Sequence, residues 1–480
     1  MTLVRKIAFN TIIASGARII GVAFSLISIG LIARYLGKEG FGSYSLILAF
    51  LYIFDTLADL GLYNLMTREI SRPEANEKKV ASNIFTIRAV ALLIFLGLAV
   101  IVVWFSPYSP QIKIGMTIAS LAFFFMSVAQ VLMGIFQKYL RMDKPSLAEL
   151  VGRLSQLGLV ILFMFLDLGF FAILIALIIS NLLIFILNFI FAQKYIKVGL
   201  AFDFSFWKKT IKATLPIAAS IVLTLVYFKI DTIFLSLGFI NRSSSNPIID
   251  VGIYNIAYKI LEGLIFFPAM FAGLIMPLLS KYAFSNPEEF KKVFQKALDV
   301  LIIFLIPLVI GLLAMPTPIV VLIGGKDFSA SAVVLQILSF AIGLIFLGNL
   351  FGYSIIALNK QKAVAWIYFS GMIFNIITNL IFIPKYSCLG AASTTLATEL
   401  LVTTLMFYLI YKTIKYLPSF KIIFKVILAS LIMAGFLYLF KNWNLFLLIA
   451  GSVIIYFFVL YLIKGIKKKE LLLLIKEKTL

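Results

Sequence analysis

A few charged side chains stand in the middle of long apolar segments, and the chemistry they offer is ionic rather than covalent. Arg18, Lys229 and Lys259 are cations of this kind. A charge near the centre of a bilayer costs roughly 2.5–3.5 kcal/mol on insertion scales, so such a side chain should face a cavity or a partner. Arg binds phosphate oxygens through parallel N–H groups and Lys acts as a point charge. These three residues are therefore candidate ligands of an anionic phosphate group, and Arg88 and Asn255 complete the predicted binding set.

The same cations also have structural interpretations. Lys259 and Glu262 are three residues apart and can pair along one helix. Lys229 and Asp231 are two residues apart, so on a regular helix they cannot face each other and at least one must point elsewhere. Arg18 has no acidic residue three or four positions away. The sequence leaves both interpretations open for each cation.

Several carboxylates also fall within apolar segments and are candidates for coupling transport to a proton or cation: Glu399, Asp55, Asp231 and Glu262. Glu399 is the leading candidate because it is mid-segment with no base near it in sequence. Asp55 and Asp59 are four residues apart, and like charges at that spacing repel unless water or a cation is close. We predict two structural pairs, Asp59 with Arg88 and Glu149 with Arg153.

The composition excludes several classes of site. The chain of 480 residues has no His and a single Cys, so imidazole catalysis, a disulfide framework and a thiolate metal site are not expected, and no cofactor is predicted. A net charge of +22 could suggest nucleic acid, but the basic residues cap apolar segments instead of forming a soluble basic face. They are better explained by membrane topology and anionic lipid headgroups, so no nucleic-acid partner is predicted.

About fourteen apolar segments are long enough to cross a bilayer, which takes roughly 20 residues of helix. The sequence therefore predicts an all-α integral membrane protein. The first segment is too long for a signal-peptide core and has no small-residue cleavage site, so we expect it to be retained. The predicted spans are 8–33, 43–66, 81–105, 112–137, 147–166, 170–193, 213–237, 251–276, 293–315, 331–357, 363–383, 389–411, 421–440 and 443–463.

The basic residues alternate between the two sides of these spans. Of the 42 Lys and Arg, 30 fall on the side of the two termini, 7 fall on the other side and five lie inside spans. Cytoplasmic loops carry the excess of Lys and Arg, so both termini are predicted to be cytoplasmic. We expect a multi-pass protein of the cytoplasmic membrane.

A faint internal repeat relates two parts of the chain. The motif Gly40-Phe41-Gly42-Ser43-Tyr44 resembles Asp250-Val251-Gly252-Ile253-Tyr254 at an offset of 210 residues, and two further matches have offsets of 216 and 221. The matches preserve order and side. We therefore predict a six-helix half at 1–200, a second at 201–415, and two additional helices with a basic tail at 416–480. Parallel repeats of this kind are a transporter architecture, with the site at the repeat interface.

The residues at the first two spans carry a family resemblance. Arg34-Tyr35-Leu36-Gly37-Lys38-Glu39-Gly40-Phe41-Gly42-Ser43-Tyr44, followed by Ala58-Asp59-Leu60-Gly61-Leu62 and Thr67-Arg68-Glu69-Ile70, resembles the signature of polysaccharide biosynthesis proteins. These are similar to O-antigen repeat-unit translocases of the multidrug/oligosaccharidyl-lipid/polysaccharide exporter superfamily. The resemblance implies a V-shaped bundle of two six-helix halves, whose first, second, seventh and eighth spans line a central cavity.

The resemblance favours a flippase that moves a polyprenyl-(di)phosphate-linked oligosaccharide from the cytoplasmic to the outer leaflet by alternating access, and not an enzyme. Its expected partners are that substrate, membrane lipids and glycan polymerase or assembly proteins. One alternative is a multidrug or organic-cation antiporter, which would need an acidic cavity where this chain has Arg18. The other is a membrane glycan polymerase, which would need a sizeable polar loop with paired acids.

Overall fold

The structure, a computed structural model, describes residues 3–465 apart from residue 60. The side chains of 3–15, 17–19, 64, 213 and 215–227 are outside that description. Within the described part the regular structure is helical and contains no strand. The all-α class predicted from the sequence is confirmed.

Fifteen α-helices follow one another through the described residues, and a short 3₁₀ segment at Lys326–Ala330 precedes the twelfth. They are α1 Leu3–Asp59, α2 Leu62–Ile70, α3 Glu77–Trp104, α4 Pro110–Lys138, α5 Asp143–Phe165, α6 Gly169–Gln193, α7 Phe204–Ser236, α8 Pro247–Leu264, α9 Phe266–Tyr282, α10 Pro287–Ala314, α11 Pro316–Gly324, α12 Ser331–Ala357, α13 Gln361–Ile414, α14 Lys421–Leu439 and α15 Leu445–Leu462.

Two of the longest helices are each divided by one residue with positive φ. Gly37 divides α1 at φ 66°, and Ser387 divides α13 at φ 48°. Glycine reaches this region without steric cost, whereas a serine there is strained. Each break falls between two consecutive predicted spans, so these breaks are the turns between them.

Eleven helical stretches in the described part are long and apolar enough to cross a membrane. Two of them are the divided stretches at Ile20–Asp59, which overlaps two predicted spans, and Gln361–Ile414, which contains two. The span predicted at 213–237 corresponds to α7, most of whose side chains lie outside the description. The helices thus follow the fourteen predicted spans in order.

The chain forms two compact units. The first contains Met1–Ile256, Ile323–Asp327 and Asn379–Cys388, and the second contains Ala257–Leu322, Phe328–Thr378 and Leu389–Leu480. In the first unit α4 packs on α6, α5 on α6 and α1, and α1 on α7. In the second, α10 packs on α14, α12 and α9. The two six-helix halves inferred from the repeat are a division of the sequence and stay a prediction.

The repeated glycines meet inside the first unit. A Cβ added to Gly42 would lie 1.9 Å from the carbonyl oxygen of Ile248, and one added to Gly252 would lie 2.2 Å from that of Lys38. The two contacts are reciprocal, so the backbone of α1 just after its break at Gly37 touches the first turns of α8 at the repeat motif. Small residues permit this close approach between membrane helices.

Candidate functional sites within the predicted spans

The first site is a buried ionic group shared by three helices of the first unit. Arg88 of α3 places Nη1 3.1 Å from Oδ1 of Asp59 and Nη2 3.4 Å from Oδ1 of Asp55, both on α1. Ser127 of α4 donates a hydrogen bond to the same oxygen of Asp55. The Arg88 side chain is only 1% exposed. The guanidinium therefore lies between two carboxylates that would otherwise repel each other.

Burial makes this group costly to break. Removing one member of a buried ion pair typically costs 3–5 kcal/mol, because the remaining charge is left uncompensated in a poorly polarisable environment. Nε of Arg88 is also buried and forms no hydrogen bond with a described residue. The sequence predicted the contact with Asp59 but not the one with Asp55, which it offered as a coupling residue. A coupling role for Asp55 thus requires its contact with Arg88 to change.

Lys229 of α7 lies beside an aromatic ring of α1. Its Nζ is 5.5 Å from the centroid of the Tyr52 ring, within the range of a cation–π contact. The negative face of an aromatic ring attracts an ammonium group electrostatically. Arg18, the other predicted cation of the first half, has its side chain outside the described residues.

Lys259 pairs with its neighbour on α8, as one of its two interpretations anticipated. Its Nζ is 2.6 Å from Oε2 of Glu262, and the two side chains are partly exposed. The sequence spacing of three residues brings both groups to one face of the helix. Lys259 would therefore meet an anionic ligand as half of an ion pair, which weakens it as a phosphate ligand, and Glu262 would meet a coupling ion in the same state.

The second buried site surrounds Asp231 of α7, whose exposure is 2%. Tyr254 of α8 donates its hydroxyl to Oδ2 at 3.0 Å, and Asn379 donates its amide to Oδ1 at 2.5 Å. The sequence identified Asp231 but not these two donors. Tyr254 is the last residue of the repeat motif, which was the available signal, whereas Asn379 is 148 residues away.

Asn255 lies next to that site but is engaged within the helix interface. Its amide donates to Val251 O at 2.9 Å and to Thr232 Oγ1 at 3.2 Å. The bond to Thr232 ties α8 to α7, and the bond to Val251 lies within α8. A role in binding substrate stays a prediction and would require the amide to exchange these partners.

The remaining predicted residues occupy separate places. Glu399 is buried on the second arm of α13, at 4% exposure, in the second unit. Arg153 Nη2 lies 3.9 Å from Glu149 Oε1 along α5, a long contact between two partly exposed side chains. Arg153 also donates to Gln156 Oε1 at 3.4 Å. Among the described residues no cluster of His, Cys, Asp and Glu could hold a metal ion.

Comparison with known proteins places this arrangement in a family. Residues 7–283, more than half of the 480, match the polysaccharide biosynthesis protein family. The chain belongs to that family. The match contains the whole of the buried ionic group and of the Asp231 site except Asn379.

Two curated relatives of this polysaccharide biosynthesis protein match part of it. One is the "probable low-salt glycan biosynthesis flippase Agl15" of Haloferax volcanii, 26% identical over 193 residues, or 40% of this chain and 41% of the relative. The other is the "capsular polysaccharide biosynthesis protein CapF" of Staphylococcus aureus, 30% identical over 165 residues, or 34% of this chain and 41% of the relative. Each match thus spans about two fifths of the relative's length.

A solved structure shares the fold of this family member over nearly its whole length. The lipid II flippase MurJ, in an inward closed conformation, superposes with a TM-score of 0.75 at 18% identity, covering 96% of this chain and all of the other. The similarity confirms an all-α, multi-pass membrane fold.

Proposed function

We propose that this polysaccharide biosynthesis protein is a flippase for a polyprenyl-(di)phosphate-linked oligosaccharide, which it moves from the cytoplasmic to the outer leaflet. The observation that carries the proposal is the agreement of its fold with a lipid II flippase over 96% of the chain. The partial similarity to a probable glycan biosynthesis flippase supports the same class of cargo. Orientation, with both termini cytoplasmic, follows from the basic loops.

The physical task is to carry an anionic, hydrated headgroup through hydrocarbon while its lipid tail remains in the membrane. Cations along the path replace the water that the phosphate loses. Lys229 is a candidate for this role because its ammonium lies within a predicted span, beside the ring of Tyr52. Arg18 would add bidentate contacts to phosphate oxygens. Lys259 contributes only if its pairing with Glu262 opens.

Alternating access would expose these cations first to one leaflet and then to the other, without a covalent step. The two halves inferred from the repeat would supply the moving bodies. A coupling ion would act through a buried carboxylate. Asp231 is a candidate because it is a carboxylate buried within a predicted span, where it accepts hydrogen bonds from Tyr254 and Asn379. Glu399 is the second candidate because it is equally enclosed.

Reconstituted vesicles test the proposal directly. The purified protein is placed in liposomes with a fluorescent polyprenyl-diphosphate oligosaccharide, and exchange between leaflets is followed by quenching from outside, with and without proton and sodium gradients. We expect exchange well above that of protein-free liposomes. We expect Lys229→Ala to slow it by about tenfold or more, since a hydrogen bond to a charged group contributes about 1.5–3 kcal/mol.

Lys441→Ala is the matched control. Lys441 lies 5.6 Å from the ring of Tyr438, a contact of the same kind as that of Lys229, but it is exposed between α14 and α15. It should leave exchange unchanged. Failure of the wild-type protein to move the glycan lipid would contradict the flippase, and transport of organic cations by the same vesicles would indicate the antiporter instead.

A further inference from the structure

A basic pocket lies on the predicted cytoplasmic side of the first unit, away from the sites within the spans. Its volume is about 460 Å³. It is formed by the start of α3 and the connection from α6 to α7. The residues that line it are Asn76, Lys78, Lys79, Ser82 and 197–201.

Side chains of α3 hold the connection in place. The backbone N–H of Gly199 donates to Ser82 Oγ at 3.1 Å, and that of Ala201 donates to Thr86 Oγ1 at 2.9 Å. The N–H of Asp203 donates to the amide oxygen of Asn83 at 3.0 Å. Alternate residues of the connection are thus fixed against the helix, and the side chains between them point outward.

The outward side chains form an apolar surface next to the pocket. Leu200 is 71% exposed, Phe202 60% and Phe204 71%. The rings of Phe202 and Phe204 lie 5.8 and 5.3 Å from that of Trp207. Aromatic clusters of this kind are typical of the interface between bilayer and water. Exposed apolar side chains contiguous with a membrane-spanning surface are expected to contact lipid.

The pocket retains uncompensated positive charge. Lys79 pairs with Asp203 at 2.8 Å, and the hydrogen bond from Lys79 holds the pKa of that carboxyl below its usual range. Lys78 and Lys197 form no ion pair with any described residue. The two lysines therefore present free ammonium groups at the edge of an apolar surface.

We infer that this pocket binds the phosphate headgroup of an anionic membrane lipid, with Lys78 and Lys197 as its cationic ligands and the acyl chains against Leu200, Phe202 and Phe204. Juxtamembrane lysines attract anionic lipids. The adjacent apolar surface favours a lipid over free phosphate, because only a lipid would cover it. The inference concerns a resident lipid and does not depend on the cargo.

A pocket in the second unit provides an internal comparison. It lies at the start of α10, has a volume of about 340 Å³ and is lined by Glu288, Lys291, Lys292, Gln295, Lys296 and Tyr416. Here Lys291 pairs with Glu288 and Lys292 with Glu289, each at 2.7 Å. Two of its three lysines are thus compensated, and we expect it to attract anionic lipid more weakly.

The test measures lipid binding to the purified full chain in neutral detergent. The probes are phosphatidylglycerol, phosphatidylcholine and inorganic phosphate, with occupancy read by native mass spectrometry and affinity by titration. We expect tighter binding of phosphatidylglycerol than of phosphatidylcholine. In the double variant Lys78→Gln/Lys197→Gln, phosphatidylglycerol should bind about 30-fold more weakly, from roughly fivefold for each charge. The matched control, Lys291→Gln/Lys292→Gln, should change affinity by less than about twofold.

Three results would overturn the inference. Unchanged phosphatidylglycerol binding in the first double variant would show that the lipid sits elsewhere. Equal losses in both double variants would show a general effect of net charge. Displacement of phosphatidylglycerol by equimolar inorganic phosphate would show a site for free phosphate. A circular dichroism spectrum matching that of the wild type confirms that each variant is folded.

Discussion

Helices α3 and α10 both begin with an asparagine cap, but at equivalent positions α3 buries a charged residue and α10 an apolar one. Asn76 caps α3 by accepting from Lys79 N at 3.0 Å, and Asn286 caps α10 by accepting from Glu289 N at 3.1 Å. The two caps are 210 residues apart, the same offset that relates Gly42 and Gly252. At that offset Arg88 of α3 corresponds to Leu298 of α10, and each is 1% exposed.

The partners of Arg88 differ in the same way. Asp55 corresponds to Ile265 and Asp59 to Ala269. The residues at an offset of 210 are thus apolar at all three positions of the ionic group. Well-packed apolar residues often match or exceed the stability of a buried ion pair. Because no ionic group is present at the corresponding positions, we expect that stability alone does not require the one formed by Asp55, Asp59 and Arg88.

The largest expected effect is that of Arg88→Leu, which copies the second half at one position only. It leaves Asp55 and Asp59 buried without their cation, so we expect a loss of about 3–5 kcal/mol in the free energy of unfolding. Denaturant unfolding in detergent micelles measures it.

The matched variant Asp55→Ile/Asp59→Ala/Arg88→Leu copies all three positions and should recover most of that stability. If the triple variant is as unstable as the single one, the ionic group is needed for folding, and apolar residues cannot replace it. If the triple variant is stable but no longer exchanges glycan lipid, the ionic group is needed for transport and not for stability.

The next largest effect is expected at the two repeated glycines, Gly42 and Gly252. Gly42→Ala and Gly252→Ala each push a Cβ against a backbone carbonyl of the partner helix, so each should destabilise the protein by about 1–3 kcal/mol and by similar amounts. Thermal unfolding with a thiol-independent dye measures both. Gly97→Ala, where an added Cβ meets nothing within 4 Å, is the control and should not destabilise. Markedly unequal effects at Gly42 and Gly252 would contradict a reciprocal contact.

A smaller effect is expected at the two caps. Asn76→Ala and Asn286→Ala each remove one side-chain acceptor from a helix N-terminus, which typically costs about 1 kcal/mol. Equal losses in equilibrium unfolding would support equivalence of α3 and α10. The substitution Asn→Gly at each position is the control and should cost only a few tenths of a kcal/mol.

The smallest effect is expected at the exposed ion pair between Lys79 of α3 and Asp203, which precedes α7. The pKa of Asp203 is lowered in the folded protein, so its contribution is present above the ordinary carboxyl range and is lost as pH falls through the lowered value. We expect stability to decline between about pH 5 and 3 slightly more in the wild type than in Asp203→Asn. An identical decline would show that solvent screens the pair completely.

The sequence predicted more of the fold than of the candidate sites. Span lengths and basic loops predicted the order of helices, and the breaks at Gly37 and Ser387 fall between predicted spans. The contact of Asp59 with Arg88 was anticipated from their depth. The donors to Asp231 were not, because strongly apolar helices lack the polar stripe that would show which face meets which neighbour.

The same limit applies to Asp55 and Lys259. For Lys259 the spacing left pairing with Glu262 and a role in phosphate binding both open, and the structure shows the pair. For Asp55 the spacing showed only its repulsion by Asp59, and the packing of α1 on α3 supplies the contact with Arg88. Arg18, on which the phosphate-binding hypothesis leaned most, has its side chain outside the described residues and stays a prediction.

The row of polar side chains along α3 has a mechanical consequence. Ser82, Asn83 and Thr86 accept hydrogen bonds from the backbone just before α7. Arg88 follows half a turn further along α3. A displacement of the base of α7 must drag α3 with it or sever three hydrogen bonds. Helix α3 thus links two places: its polar side chains hold the chain before α7 near the membrane surface, and its Arg88 contacts the buried carboxylates of α1.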